Sequence, residues 1–96
     1  MLSKLDFWTA GAAMACDGKR IAREGWNGKN MFVVRRDGYP NGVKIDATTA
    51  AALRLKAGET VVFGAYAVMK TADGSVVPWL VSQTDMFARD WVILDG

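Results

Sequence analysis

Apolar and polar positions repeat with two different periods along the chain, and the switch between periods separates helices from strands. Residues 7–15 carry apolar side chains at helical spacing, with Phe7, Ala10, Gly11 and Met14 on one face and Leu5, Trp8, Ala12 and Ala15 or Cys16 on a second. Two such faces predict a helix covered on more than one side. Asp6 stands where an N-cap belongs, and Gly18 where a helix stops. Arg20-Ile21-Ala22-Arg23 and residues 31–36 read as short strands, the second on the strength of Phe32, Val33 and Val34. A second helix is expected over about 47–55, capped by Asp46 and ended by Gly58. Residues 61–69 are rich in strand formers and, across the turn Ala72-Asp73-Gly74, form a hairpin with residues 76–80, in which Pro78 marks an edge or a bulge. Ser82 precedes Asp85 by three positions, close to capping-box spacing, and predicts a short helical turn through Met86-Phe87-Ala88. Asp90-Trp91-Val92-Ile93-Leu94 reads as a last strand. Leu2-Ser3-Lys4 reads as a loose end, and residues 37–42 as a turn-dense rim without regular structure. The fold class expected is α+β: an antiparallel or mixed sheet of about five strands, an N-terminal helix, a second helix and a short helical turn before the last strand.

Length changes this picture little: 96 residues fit one domain, 1–96, with a core too small to be amply stable alone, so homo-oligomerisation is a natural supplement. Charge narrows the partners. Twelve basic residues against ten acidic ones give +2, and the signs are interspersed, so no concentrated basic face points to a nucleic-acid polymer. No apolar run is long enough to span a bilayer and the N-terminus lacks the pattern of a signal peptide, so a cytoplasmic protein is expected. Histidine is absent and Cys16 is the only cysteine. That removes the commonest general base, the histidine-activated nucleophiles and the usual zinc ligand sets. No metal, no cofactor and no catalytic residue are expected; Asp85 and Asp90 are the carboxylates an enzyme would use, and they read more readily as turn and cap residues.

The segment Arg23-Glu24-Gly25-Trp26-Asn27-Gly28-Lys29 concentrates what a small anion with a flat base would need. Trp26 offers an aromatic face, Asn27 and the glycine amides can meet phosphate oxygens, and Lys29 and Arg23 can neutralise them. Trp26 as a core residue and Asn27-Gly28 as a turn remain the competing reading. Gln83, Thr84 and Asp85, at the start of the short helical turn, can read ribose hydroxyls or a purine edge, or Ser82 and Asp85 can serve capping alone. Trp79, beside Pro78 on an edge, is a further ligand candidate. Trp8, Phe7, Phe63, Tyr66 and Trp91 read as core or interface. Arg35-Arg36 reads as a solvated strand end or a second anion site.

Taken in order, Gly18-Lys19-Arg20, the Arg23 to Lys29 segment followed by Met31, Met69-Lys70-Thr71-Ala72-Asp73-Gly74, Trp79-Leu80-Val81-Ser82-Gln83-Thr84-Asp85-Met86, Ala88 and Asp90-Trp91 resemble a family of small phage proteins, the anti-Thoeris nucleotide sponges. The likeness runs over nearly the whole chain except residues 35–60. It implies a homo-oligomer, typically a tetramer, that captures cyclic ADP-ribose isomers made by a bacterial Thoeris enzyme inside the infected host and starves the effector. It also implies that some members take up CBASS cyclic dinucleotides at separate sites. A nucleotide-processing enzyme using Asp85 or Asp90, and a protein-binding phage adaptor, are the alternatives.

Overall fold

The computed structural model describes residues 2–26 and 30–94. They divide into two compact units, Met1–Arg36 with Ala67–Gly96, and Asp37–Tyr66.

The first unit is built on a six-stranded sheet. Its strands are β1 (Leu2–Leu5), β2 (Arg20–Arg23), β3 (Phe32–Arg36), β6 (Tyr66–Lys70), β7 (Val76–Pro78) and β8 (Trp91–Leu94), in the spatial order β1-β8-β2-β3-β6-β7. The β1–β8, β2–β8, β2–β3 and β6–β7 pairs are all antiparallel. The last strand thus lies inside the sheet, with Ile21 opposite Ile93 and Arg23 opposite Trp91. Helix α1 (Phe7–Asp17) begins where the Asp6 carboxylate accepts the Thr9 amide at 2.8 Å and ends at Gly18, whose φ of 67° only glycine adopts readily. Ala10 and Met14, one turn apart, bury against Ile21, Val33 and Trp91 to form the core.

The second face of α1 is not covered in this chain: Trp8, Ala12, Ala15 and Cys16 are exposed, which corrects the expectation of burial on two sides. The strand count departs from expectation too: among the described residues there are eight strands in place of about five, six in one sheet and two in another. β1 exists because Lys4 takes a left-handed φ of 54°, a bulge that fits the three steps from Leu2 to Leu5 against the two from Ile93 to Trp91. The apparent strand over 61–69 breaks at Gly64-Ala65 into β5 (Thr60–Phe63) and β6.

The second unit holds the other correction. Within residues 37–42, read as a rim, begins β4 (Tyr39–Lys44), which pairs antiparallel with β5 and leaves α2 (Ala47–Leu53) to follow. Gly38 makes that pairing possible, since a Cβ there would collide with the Phe63 and Gly64 carbonyls. Asp46 caps α2 through the Thr49 amide at 2.7 Å. The helix ends at Arg54 in the left-handed region, φ 58°, four residues before the expected Gly58. Ile45 and Ala50 are the buried positions that hold it. Among the described residues no helix is long and apolar enough to cross a membrane.

Candidate functional site

Trp91 is fully buried at the start of β8, and three aromatic rings surround it. Phe7 of α1 lies 5.5 Å away, Trp26 5.5 Å away at 77°, and Trp79 6.2 Å away at 78°, the last two in edge-to-face geometry. Trp26 closes a single 3-10 turn, Glu24–Trp26, that continues directly from β2, and Trp79 follows β7. Both rings are half-buried and pack against the core.

Helical turn α3 (Gln83–Met86) stands beside them, started by Ser82, whose hydroxyl accepts the Asp85 amide at 3.0 Å. The expected cap is therefore present. Trp91 donates its indole N–H to the Asp85 carbonyl at 2.8 Å, which ties α3 to the aromatic cluster. Gln83 and Thr84 are exposed on that turn.

Arg23 joins the two turns. Its Nε donates to Asp90 Oδ1 at 2.8 Å and its Nη1 to Asp85 Oδ1 at 2.9 Å, with a longer contact from Nη2 to Asp90 Oδ2 at 3.4 Å. The Gly25 amide also donates to Asp90 Oδ2, at 2.9 Å, and the Glu24 amide to the Asp90 carbonyl, at 2.9 Å. The Arg23 guanidinium holds the Asp90 carboxyl below its ordinary value, aided by the Gly25 amide and opposed by burial. Asp90 and then Asp85 raise Arg23 in return.

Six of the nine residues expected to meet a ligand thus fall in one region: Arg23, Trp26, Trp79 and Asp85 touch Trp91 or one another, and Gln83 and Thr84 share the turn with Asp85. Asn27, Gly28 and Lys29 lie outside the described residues. Arg23 does not face solvent as a free cation, because two carboxylates already receive its N–H groups. A four-residue turn such as α3 adds little dipole of its own. Trp91 was expected as core and is the hub of the arrangement; Asp90 was expected as a cap or a base and is the anchor of the Trp26 turn. The Asp90-Trp91 pair was the available signal in the sequence; its place opposite Arg23 comes from the pairing of β2 with β8.

Of the other cations, Lys4 pairs with Glu24 of the Trp26 turn at 3.6 Å, whereas Arg35, Arg20 and Lys70 are engaged elsewhere. Arg35 donates to the Ala15 carbonyl at 2.7 Å, against the negative end of α1. Arg20 and Lys70 both stand over the Phe32 ring, at 5.2 and 5.7 Å from its centroid. Among the described residues no three acidic or sulfur side chains gather as a metal ion would require.

Comparison with known proteins gives the family. A family model, the Thoeris anti-defense 2-like domain, matches residues 5–94. A curated protein of Bacillus phage SP01, named Thoeris anti-defense 2, is 35% identical over 97 residues, covering 98% of this chain and 99% of its own. The match spans every element that builds the cluster around Trp91, from α1 to β8, and the chain belongs to the Thoeris anti-defense 2-like family.

Proposed function

We propose that this chain counters Thoeris immunity as a non-catalytic sponge, binding the cyclic ADP-ribose isomer that serves as the immune signal and withholding it from its effector in the cytoplasm of the infected bacterium. Family membership supports the anti-Thoeris role. The observation that carries the binding role is the convergence of Trp26 and Trp79 on Trp91, beside the exposed Gln83 and Thr84. A cyclic ADP-ribose presents a purine face, ribose hydroxyls and a pyrophosphate. Trp26 or Trp79 supplies a stacking surface, a contact of about 1–3 kcal/mol per base. Gln83 and Thr84 supply polar groups for the sugar, and Asn27, Gly28 and Lys29 supply amides and a cation for the phosphates.

Sequestration without turnover is the better reading of the carboxylates. Asp90 is held below its ordinary value with both oxygens accepting hydrogen bonds, so it is a weak base, and Asp85 is bonded to the same guanidinium. The working form we infer is a homo-oligomer, a tetramer on the family pattern. Large apolar side chains that remain exposed on one copy support it, among them Leu80, Phe87 and Trp8 at 90%, 70% and 60% exposure.

The test is to incubate the purified chain with the product of an activated Thoeris enzyme, remove free ligand, denature the protein by heat and identify what is released. Intact ligand from the wild type, and at least tenfold less from Trp26→Ala, is the expected result. A cleaved product would mean an enzyme. No uptake would direct the same assay to cyclic dinucleotides, and failure there would leave a protein-binding adaptor.

A further inference from the structure

The Glu24–Trp26 turn is fastened at two successive amides to a single residue, Asp90: Glu24 donates to its carbonyl and Gly25 to its Oδ2. That carboxylate presses against the turn, since a Cβ on Gly25 would lie 3.2 Å from Asp90 Oδ2. Arg23 sets the carboxylate in place through Nε and reaches across to Asp85 through Nη1. A planar guanidinium holds two acceptors at a fixed angle, which a lysine ammonium does not. One cation between two carboxylates also leaves a net negative centre, a poor receptor for a phosphate.

We propose that Arg23 and Asp90 are positioning residues for the ligand surface: together they fix the turn that orients Trp26, and Arg23 itself binds no phosphate. The proposal rests on the reading of this surface as the nucleotide site. It reverses the obvious assignment of Arg23 as the phosphate-neutralising cation, and the two assignments predict opposite signs. Asp85→Asn and Asp90→Asn each delete one negative charge beside Arg23. If the guanidinium met the phosphates, either change would free it and tighten binding of an anionic ligand. In the positioning arrangement the two differ. Asp85→Asn keeps a carbonyl oxygen for Nη1, whereas in Asp90→Asn one donor must face another, Gly25 N–H or Arg23 Nε–H, whichever way the amide is turned.

Amide hydrogen exchange on the ligand-free full chain reads the turn directly, with Ile21 and Val33 reporting global opening. Calorimetric titration with the cyclic ADP-ribose isomer reads affinity. In Asp90→Asn, Arg23→Lys and Arg23→Gln the Gly25 amide is expected to exchange about tenfold faster or more, while Ile21 and Val33 hold. Affinity is expected to fall by about tenfold or more in the same three variants, and in Asp85→Asn the Gly25 amide, which is bonded to Asp90, is expected to keep its protection. Tighter binding by Asp90→Asn, or full affinity in Arg23→Lys, overturns the proposal. So does unchanged protection at Gly25 in Asp90→Asn, whatever the wild type binds. If the wild type takes up no cyclic nucleotide while Gly25 still loses protection in Asp90→Asn, the sponge reading fails and the fastening of the turn stands. Should an Arg23 variant unfold, rapid exchange at Ile21 reveals it, and the contrast between the two asparagine variants decides.

Discussion

Arg23 changes meaning between the sequence and the fold. As a letter it is a cation two residues before a glycine and three before a tryptophan, and phosphate neutralisation is the natural use for it. In the folded chain it lies opposite Trp91 on a neighbouring strand, so the acids at 85 and 90, more than sixty residues away, arrive within 3 Å of its nitrogens. No local pattern encodes such a meeting; it follows from β8 inserting between β1 and β2. The half-burial of Trp26 and Trp79 needed less, because an aromatic ring at the end of a strand or on a turn is seldom fully covered. The Arg23–Asp90 pair carries a prediction about acid. Asp90 titrates below its ordinary value of 3.8 when folded, so its contribution is complete above that value and is lost as the pH falls through the depressed folded pKa. Asp6, Asp46 and Asp73 are also lowered, Asp73 to about 2, and lose their contributions on the same side. Urea midpoints measured downward from pH 5 should therefore fall. Asp90→Asn should show a shallower fall and, at neutral pH, a loss of about 1 kcal/mol, given that its ion pair is partly solvent-screened.

Helices were legible at their starts because a cap is a short-range device. Asp6, Asp46 and Ser82 each accept the amide three residues on, as the spacing predicts. Ends and edges were less legible. β1 and β4 were missed because each needs a residue to do something its type disfavours or that only a distant partner rewards: Lys4 in a left-handed bulge, Pro40 within a strand. The stop of α2 was misplaced for the same reason. Gly58 looked like the terminator, but Arg54 takes the left-handed position, and the Leu55 amide closes onto the Ala50 carbonyl at 2.8 Å, as in a Schellman turn. A side chain in that conformation costs about 1–2 kcal/mol, of which the flexibility glycine adds to the unfolded chain would return part. Arg54→Gly should therefore stabilise the second unit by roughly 0.5–1 kcal/mol. Slower amide exchange over Ala50 and Ala51 would be the sign of it, and faster exchange would mean that the arginine side chain makes a compensating contact.

At the scale of the molecule, the apolar content of the sequence exceeds what one copy buries. The core draws on Ala10, Met14, Ile21, Val33 and Trp91, whereas Leu80, Phe87 and Trp8 remain outside. These three are not scattered. Trp8 stacks edge-on against Phe7 at 5.3 Å, Phe7 lies 6.3 Å from Trp79, Leu80 follows Trp79 directly, and Phe87 ends the helical turn that packs on α1. An apolar border beside the proposed ligand surface is better explained by a second copy than by solvent, because full burial of one such side chain is worth about 1.5–3 kcal/mol. Association and uptake should then be separable at the level of single residues. Leu80→Lys and Phe87→Glu place charges on this border without touching the Arg23 network. Sedimentation velocity should show the wild type as an oligomer and the double variant shifted towards the monomer at micromolar concentration. A double variant that sediments like the wild type would place the subunit contacts elsewhere. If instead it becomes monomeric and still retains ligand through removal of free nucleotide, the surface around Trp26 and Trp79 is sufficient within one chain; if uptake disappears with the oligomer, ligand capture and assembly are one event, and the apparent affinity depends on protein concentration.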